Sequence, residues 1–184
     1  MKRFLIGATI AAMTIAATPA FAALAVGAKA PAVSAKAYVD GKATPYTLAN
    51  ALKSGPVVLY FFPAAYTGGC NAEAKAFAEN IDKFKAAGAS VIGVTAGNGK
   101  AATGMSMDEA MAGFSKEHCN GKFPVAAVGA DTVKAYDVAL AGTGVSNRTS
   151  YVIGSDGKIA FAFSAMNPQQ HITKTLEAVT AMKK

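Results

Sequence analysis

Cys70 closes the octet PAAYTGGC (63–70), and Cys119 is the only other cysteine in the chain. The octet follows the apolar run VVLYFF (57–62). It precedes Ala74, Phe77, Ala78, Ile81 and Phe84, which recur at helical spacing. A cysteine in the first turn of a helix faces unpaired backbone N–H groups and the positive end of the helix dipole. Both stabilise a thiolate, the nucleophilic form of the side chain. Thr67, three residues back, carries a hydroxyl able to donate or accept. Gly68 and Gly69 allow a sharp turn and a close backbone approach to a ligand. Pro63 ends the strand and stiffens the approach. Taken singly, these residues have plain readings: an inert thiol, a turn residue, a strand stop. Together they describe a nucleophile set among fixed polar groups.

The elements that must hold this octet follow from the pattern on either side. VVLYFF reads as a strand covered on both faces, and the residues after Cys70 form a helix stopped at Gly88. SVIGVTA (90–96) is a second buried strand, and GNGKAATG (97–104) a loop. Ser106 and Glu109 make a capping box for a helix running to about Cys119. FPVAAVG (123–129) is a third strand in which Pro124 marks an edge or a strand start. DTVKAYDV is a short helix. Asp40-Gly41 and Asp156-Gly157 supply hairpin turns, the second inside TSYVIGSDGKIAFAFSA (149–165). Asn167 and Pro168 fit the cap and first position of a last helix that buries Ile172, Leu176 and Val179. The order predicts an α/β fold: a mixed central sheet with helices on both faces. Cys70 falls at the carboxyl end of a central strand, where open α/β sheets bind ligands.

Lys2 and Arg3 are followed by the apolar run Phe4–Ala17, Pro19 and the A-x-A site ending at Ala22, the plan of a secretory signal peptide. Cleavage near Ala22 leaves residues 23–184, enough for one domain, in a periplasmic or secreted protein. Export to an oxidising compartment also allows Cys70 and Cys119 to form a structural disulfide. The lysines are scattered and not interleaved with aromatics, a solvated surface, so no nucleic-acid footprint is expected; nor is a membrane span. His118 and His171 lack an acidic cluster and are read as surface residues, and no metal or cofactor is expected. Met105, Met107 and Met111 are read as loop and core filler, and Tyr66 as packing over the octet.

Pro63, Thr67 and Cys70 match, position for position, the motif of the peroxiredoxins. The chain resembles that family along nearly all of residues 23–184. VGAKAPAV (26–33) is similar to its entry segment, VVLYFF to its strand before the motif; Glu73, GASVIGVTA (88–96) and NRTSYVIGSDGKI (147–159) follow in the family's order. The resemblance implies a thioredoxin-like fold and reduction of hydroperoxides by a peroxidatic cysteine, here Cys70. It also implies an arginine completing the site. Arg148 stands in that position and is the only arginine beyond Arg3, the other cations being lysines. The position that uses a planar fork of donors is the one that departs from lysine. Pro63, Thr67, Cys70 and Arg148 are thus the expected catalytic set, with Glu73 and Tyr66 as supporting candidates. A thioredoxin-like or other thiol is the implied reductant, and a homodimer a candidate assembly.

Three features depart from the family pattern. Gly68-Gly69 replaces a common Pro-Gly or Pro-Val. Lys75 occupies the place, five after Cys70, where a large subgroup carries its resolving cysteine, which excludes that mode. GNGKAATGMSM (97–107) is longer than expected; it is a candidate cover for the site or a surface loop, and the second reading is preferred. Cys119 is then a candidate resolving cysteine, a spectator thiol or half of a static disulfide. Two competing functions remain: a thiol–disulfide oxidoreductase, which would need C-x-x-C where Glu73 stands, and a non-catalytic binding module on the same fold.

Overall fold

In a computed structural model, residues 23–183 are described. The leader expected over residues 1–22 lies outside them. Seven strands form one sheet in the order β2-β1-β5-β4-β3-β6-β7. In chain order these are β1 (Ser34–Val39), β2 (Lys42–Thr47), β3 (Val57–Phe61), β4 (Ser90–Thr95), β5 (Val125–Ala127), β6 (Thr149–Ile153) and β7 (Ile159–Ser164). Five helices join them: α1 (Leu48–Ala51), α2 (Gly68–Ala86), α3 (Met107–Glu117), α4 (Ala130–Ala135) and α5 (Pro168–Ala181).

The sheet is mixed because its connections differ. Asp40 (φ 50°) and Gly41 (φ 74°) both take the left-handed conformation of a tight hairpin turn, so β1 and β2 are antiparallel. Helix α2 carries the chain back over the sheet, which makes β4 parallel to β3. On the other side β3 pairs antiparallel with β6, the first strand of the β6–β7 hairpin. Strand β3 is buried at every position, as its uninterrupted apolar sequence requires.

Alternation along β3 divides the core in two. Val58, Tyr60 and Phe62 face α2, α3 and α5 with Phe77, Phe84, Phe114 and both cysteines. Val57, Leu59 and Phe61 face the other side with Leu48, Val133, Tyr136 and Tyr151. Helix α2 is fixed by Ala74, Phe77, Ile81 and Phe84, each large side chain contributing about 2 kcal/mol of burial. Its first two residues, Gly68 and Gly69, are exposed and carry no such anchor.

Both expected caps form. Ser106 and Glu109 make the capping box of α3, and Asn167 Oδ1 accepts from Gln169 N–H before Pro168. Two expectations are made finer and two are corrected. Pro124 is a strand start and not an edge, since β5 lies inside the sheet between β1 and β4. Helix α3 ends at Glu117, leaving Cys119 in the following turn. Leu176 is only half-buried. His171 is fully buried and His118 half-buried. The reason for His171 is that both its ring nitrogens find partners inside the protein, Ser150 and Ala165.

Candidate functional site

Thr67 is the N-cap of α2 in extended conformation, but its side chain does not cap the helix. The hydroxyl donates instead to the Ala64 carbonyl at 2.9 Å. The first turn therefore keeps its N–H groups for another acceptor, and the Thr67 oxygen keeps its lone pairs. Cys70 lies in that turn, 1% exposed.

Arg148 reaches it from the residue before β6. Its Nη2 donates to Cys70 Sγ at 3.5 Å, and its Nη1 pairs with Glu73 Oε2, one helical turn after Cys70. Arginine and glutamate are both buried. A buried ion pair is costly to strip of water, so this one serves geometry before stability. Burial pushes the Glu73 carboxyl up to about 8, while Arg148 pulls it the other way. Gly69 is what lets the guanidinium in: a Cβ there would stand 3.1 Å from Arg148 Nη2. A Cβ at Gly68 would meet nothing within 4 Å.

The octet is bolted at several points. Phe62 N–H donates to the Val94 carbonyl (3.1 Å), Thr95 Oγ1 to the Pro63 carbonyl (3.1 Å), and Ser146 Oγ to the Phe62 carbonyl (3.1 Å). Ser146 thereby ties the segment carrying Arg148 to the end of β3. The expected surface loop is present, but its first part, 97–99, also belongs to this frame. Ala65 N–H donates to the Gly97 carbonyl (3.1 Å) and Gly99 N–H to the Ala65 carbonyl (2.9 Å). Any side chain at Gly97 or Gly99 would strike the octet's backbone, with Cβ contacts of 2.2 and 2.6 Å. Gly97 is buried, whereas Gly99 and the following residues Ala101–Gly104 are exposed.

His171, read from the sequence as a surface residue, stands behind the ion pair. Its Nδ1 is 3.8 Å from Glu73 Oε1. The Ala165 carbonyl can only accept, so Nε2 carries the proton (2.9 Å) and Nδ1 accepts from the Ser150 hydroxyl (2.8 Å). The ring is neutral, and burial pushes its pKa down to about 4. His171 and Ser150 were missed because nothing in α5 or β6 alone shows that they meet. The one available signal was a polar side chain on the apolar stripe of α5.

Tyr66 packs over α3, not over Cys70. Its ring is edge-on to Phe114 and His118, and its hydroxyl donates to Glu117 Oε1 at 3.2 Å. Cys119 is fully buried in the turn after α3, where burial pushes its thiol up. The two thiols are not bonded to each other. The Tyr60 hydroxyl lies in the same core cluster with no hydrogen-bond partner among the described residues. Among the described residues no group of three His, Cys, Asp or Glu is arranged to hold a metal ion, and no helix is long and apolar enough to cross a membrane.

A cysteine at a helix start beyond the central strand of a thioredoxin-like sheet, with a guanidinium on its sulfur, defines a thiol redox enzyme. Residues 26–162 match the model of the AhpC/TSA family, and the chain belongs to that family, the peroxiredoxins, which are thiol-dependent peroxidases. It is 31% identical over 150 residues to the chloroplastic peroxiredoxin Q of Sedum lineare, covering 78% of this chain and 73% of that one. Against the chloroplastic peroxiredoxin Q of Oryza sativa subsp. japonica the identity is 31% over 151 residues, with 78% and 61% covered. The chain thus spans between three fifths and three quarters of the length of these relatives. Among solved structures, peroxidoxin BcpB from Mycobacterium tuberculosis superposes with a TM-score of 0.73 at 25% identity, covering 86% of this chain and 98% of that one. Mycobacterium tuberculosis AhpC shares the fold, with a TM-score of 0.71 at 20% identity over 89% of this chain and all of that one.

Proposed function

We propose that the protein reduces hydrogen peroxide or a small alkyl hydroperoxide at Cys70, with Cys119 resolving the product. The observation that carries the reading is Arg148 Nη2 at 3.5 Å from Cys70 Sγ. The Cys70 thiolate attacks the outer oxygen of R–O–O–H. The S–O bond forms as the O–O bond breaks, and RO⁻ leaves, taking a proton to become ROH. A stabilised thiolate alone does not make this fast, because nucleophilicity falls with basicity. The leaving oxygen must be held as it gains charge, a task for the Arg148 guanidinium and the Cys70 N–H. The Thr67 oxygen, its own proton committed to Ala64, accepts from the hydroperoxide O–H and orients the reacting bond. Pro63 and the contacts of 97–99 keep these atoms in place, and Glu73 holds the guanidinium plane.

The resulting Cys70–S–OH then reacts with Cys119–SH. The S–S bond forms and oxygen departs as water. A thioredoxin-like dithiol reduces the disulfide and is itself oxidised. A thiol–disulfide oxidoreductase is disfavoured, since the position three after Cys70 holds Glu73, buried in the ion pair. Export follows from the leader at residues 1–22; the relatives named above are themselves called chloroplastic. N-terminal sequencing of exported protein should begin near Ala23, and an intact Met1 would overturn this localisation.

The decisive test is mass spectrometry after one equivalent of peroxide. A loss of two hydrogens with a Cys70–Cys119 linkage is expected in the native protein, and no reaction in folded Cys70→Ser. Peroxide consumption by that variant at the native rate would sink the assignment of the nucleophile.

A further inference from the structure

We infer that Tyr66 is a positioning residue for the resolving step: it latches the turn that carries Cys119 to the loop that carries Cys70, so that the two open together. This rests on the reading above, in which Cys119 resolves Cys70.

Tyr66 belongs to the octet, four residues before Cys70, yet its side chain packs on α3 and its C-terminal turn. The hydroxyl donates to Glu117 Oε1 at 3.2 Å. The ring stands edge-on to Phe114 and His118, with centroids 5.7 and 5.6 Å away. Lys100 covers the ring from outside, its Nζ 4.0 Å from the centroid. Helix α3 makes room for this with Gly113, where a Cβ would come within 2.3 Å of the Tyr66 hydroxyl. The backbone of Tyr66 sits at φ 63°, the left-handed region that an aromatic residue rarely adopts. Such a conformation persists only while the contacts around it hold.

Cys119 follows His118 directly, so the grip on Glu117 and His118 is a grip on the resolving thiol. That thiol is fully buried, and a buried thiol is neither accessible nor ionised. Its reaction requires the turn to open. The first turn of α2 loosens too, because Cys70 is itself unbonded, buried and held under Arg148, and a disulfide needs matched side-chain directions. When that first turn unwinds, Tyr66 leaves its left-handed conformation and releases Glu117 and His118. While Cys70 is reduced and α2 intact, the same contacts keep Cys119 closed. In the reaction itself the Cys119 sulfur attacks the sulfenic sulfur; S–S forms, S–O breaks, and the departing hydroxide takes the thiol proton as water.

The test acts from the α3 side, away from Cys70. Glu117→Ala removes the acceptor at an exposed position, and Gly113→Ala displaces the Tyr66 ring by steric conflict. In reduced protein carrying Cys70→Ser, each should speed alkylation of Cys119 by about three- to tenfold. With Cys70 present, first oxidation by peroxide should stay within about twofold of the native rate. The fraction of Cys70 driven to sulfinic acid at fixed excess peroxide should fall by about three- to tenfold, because disulfide formation now competes better. The two changes combined should add little to either alone, since they release one contact. Unchanged alkylation and unchanged sulfinic fraction would overturn the latch. So would slower disulfide formation, which would mean that Tyr66 holds Cys119 ready and not closed. A native protein that reacts with peroxide at Cys70 but forms no Cys70–Cys119 bond would also overturn it, while leaving the peroxidase reading intact.

Discussion

Arg148 is asked to do two things at once, and they need different nitrogens: Nη1 holds Glu73 while Nη2 faces Cys70. Lysine keeps the charge but offers one nitrogen on a flexible stem. Arg148→Lys should therefore slow oxidation of Cys70 by about ten- to a hundredfold, less than the roughly hundred- to thousandfold for outright loss of one oxyanion donor because the charge is kept; a stopped-flow peroxide titration at the native rate would remove Arg148 from the chemistry. His171 makes a second prediction, in pH. Its folded pKa, about 4, lies below the ordinary 6.5 because burial disfavours the cation. Between those values the unfolded chain binds the extra proton, so the stabilisation is present above pH 6.5 and is lost as pH falls towards 4. The window corresponds to about 3 kcal/mol. The stability gap between the native protein and His171→Gln, measured by urea unfolding, should narrow by roughly that amount from pH 7 to pH 4. A gap independent of pH would show that the imidazole is not held neutral.

At the scale of elements, α2 joins a fixed body to a start held by few contacts, and the two glycines at that start differ in purpose. Neither has a positive φ, so alanine suits the backbone at both. Gly68→Ala meets open space, whereas Gly69→Ala brings a Cβ to 3.1 Å from Arg148 Nη2. Gly69→Ala should slow Cys70 oxidation by about three- to tenfold and Gly68→Ala should not. Equal rates for the pair would mean that the guanidinium does not need this gap. The sequence made β3, α2 and both hairpins readable because their signals are local: an unbroken apolar run, a 3.6-residue period, Asp-Gly turns. The caps of α3 and α5 were readable for the same reason. Gly97 and Gly99 looked like loop residues because the octet backbone they accommodate lies some thirty residues away in the chain. His171 looked superficial because its partners, Ser150 and the Ala165 carbonyl, come from outside its helix. Pro124 showed only that a strand begins; which strands flank β5 is decided by crossovers that no local pattern encodes.

For the molecule as a whole, the sheet separates the site's chemistry from much of the stability. Cys70, Cys119, Tyr60, Phe77 and Phe114 share one core, while Phe61, Tyr136 and Tyr151 anchor the other. The Tyr136 hydroxyl donates to the Pro31 carbonyl and the Tyr151 hydroxyl to the Tyr136 carbonyl, both at 2.7 Å, stitching the entry segment and α4 to the second core. On the proposed resolution by Cys119, closing the bond draws the start of α2 and the turn after α3 out of the first core. The second core has no contact to lose. Local opening of this kind is set by the contacts of the segment that moves, not by global stability. After one equivalent of peroxide, hydrogen exchange should therefore quicken at residues 66–72 and 117–122. Protection along β3, β4 and β6 and around Tyr136 and Tyr151 should be retained. Reduction by dithiothreitol should restore the original pattern, because nothing on the far side of the sheet has moved. Loss of protection across both faces would mean that the disulfide forms only by global unfolding, and that the two cores are not the independent units their packing describes.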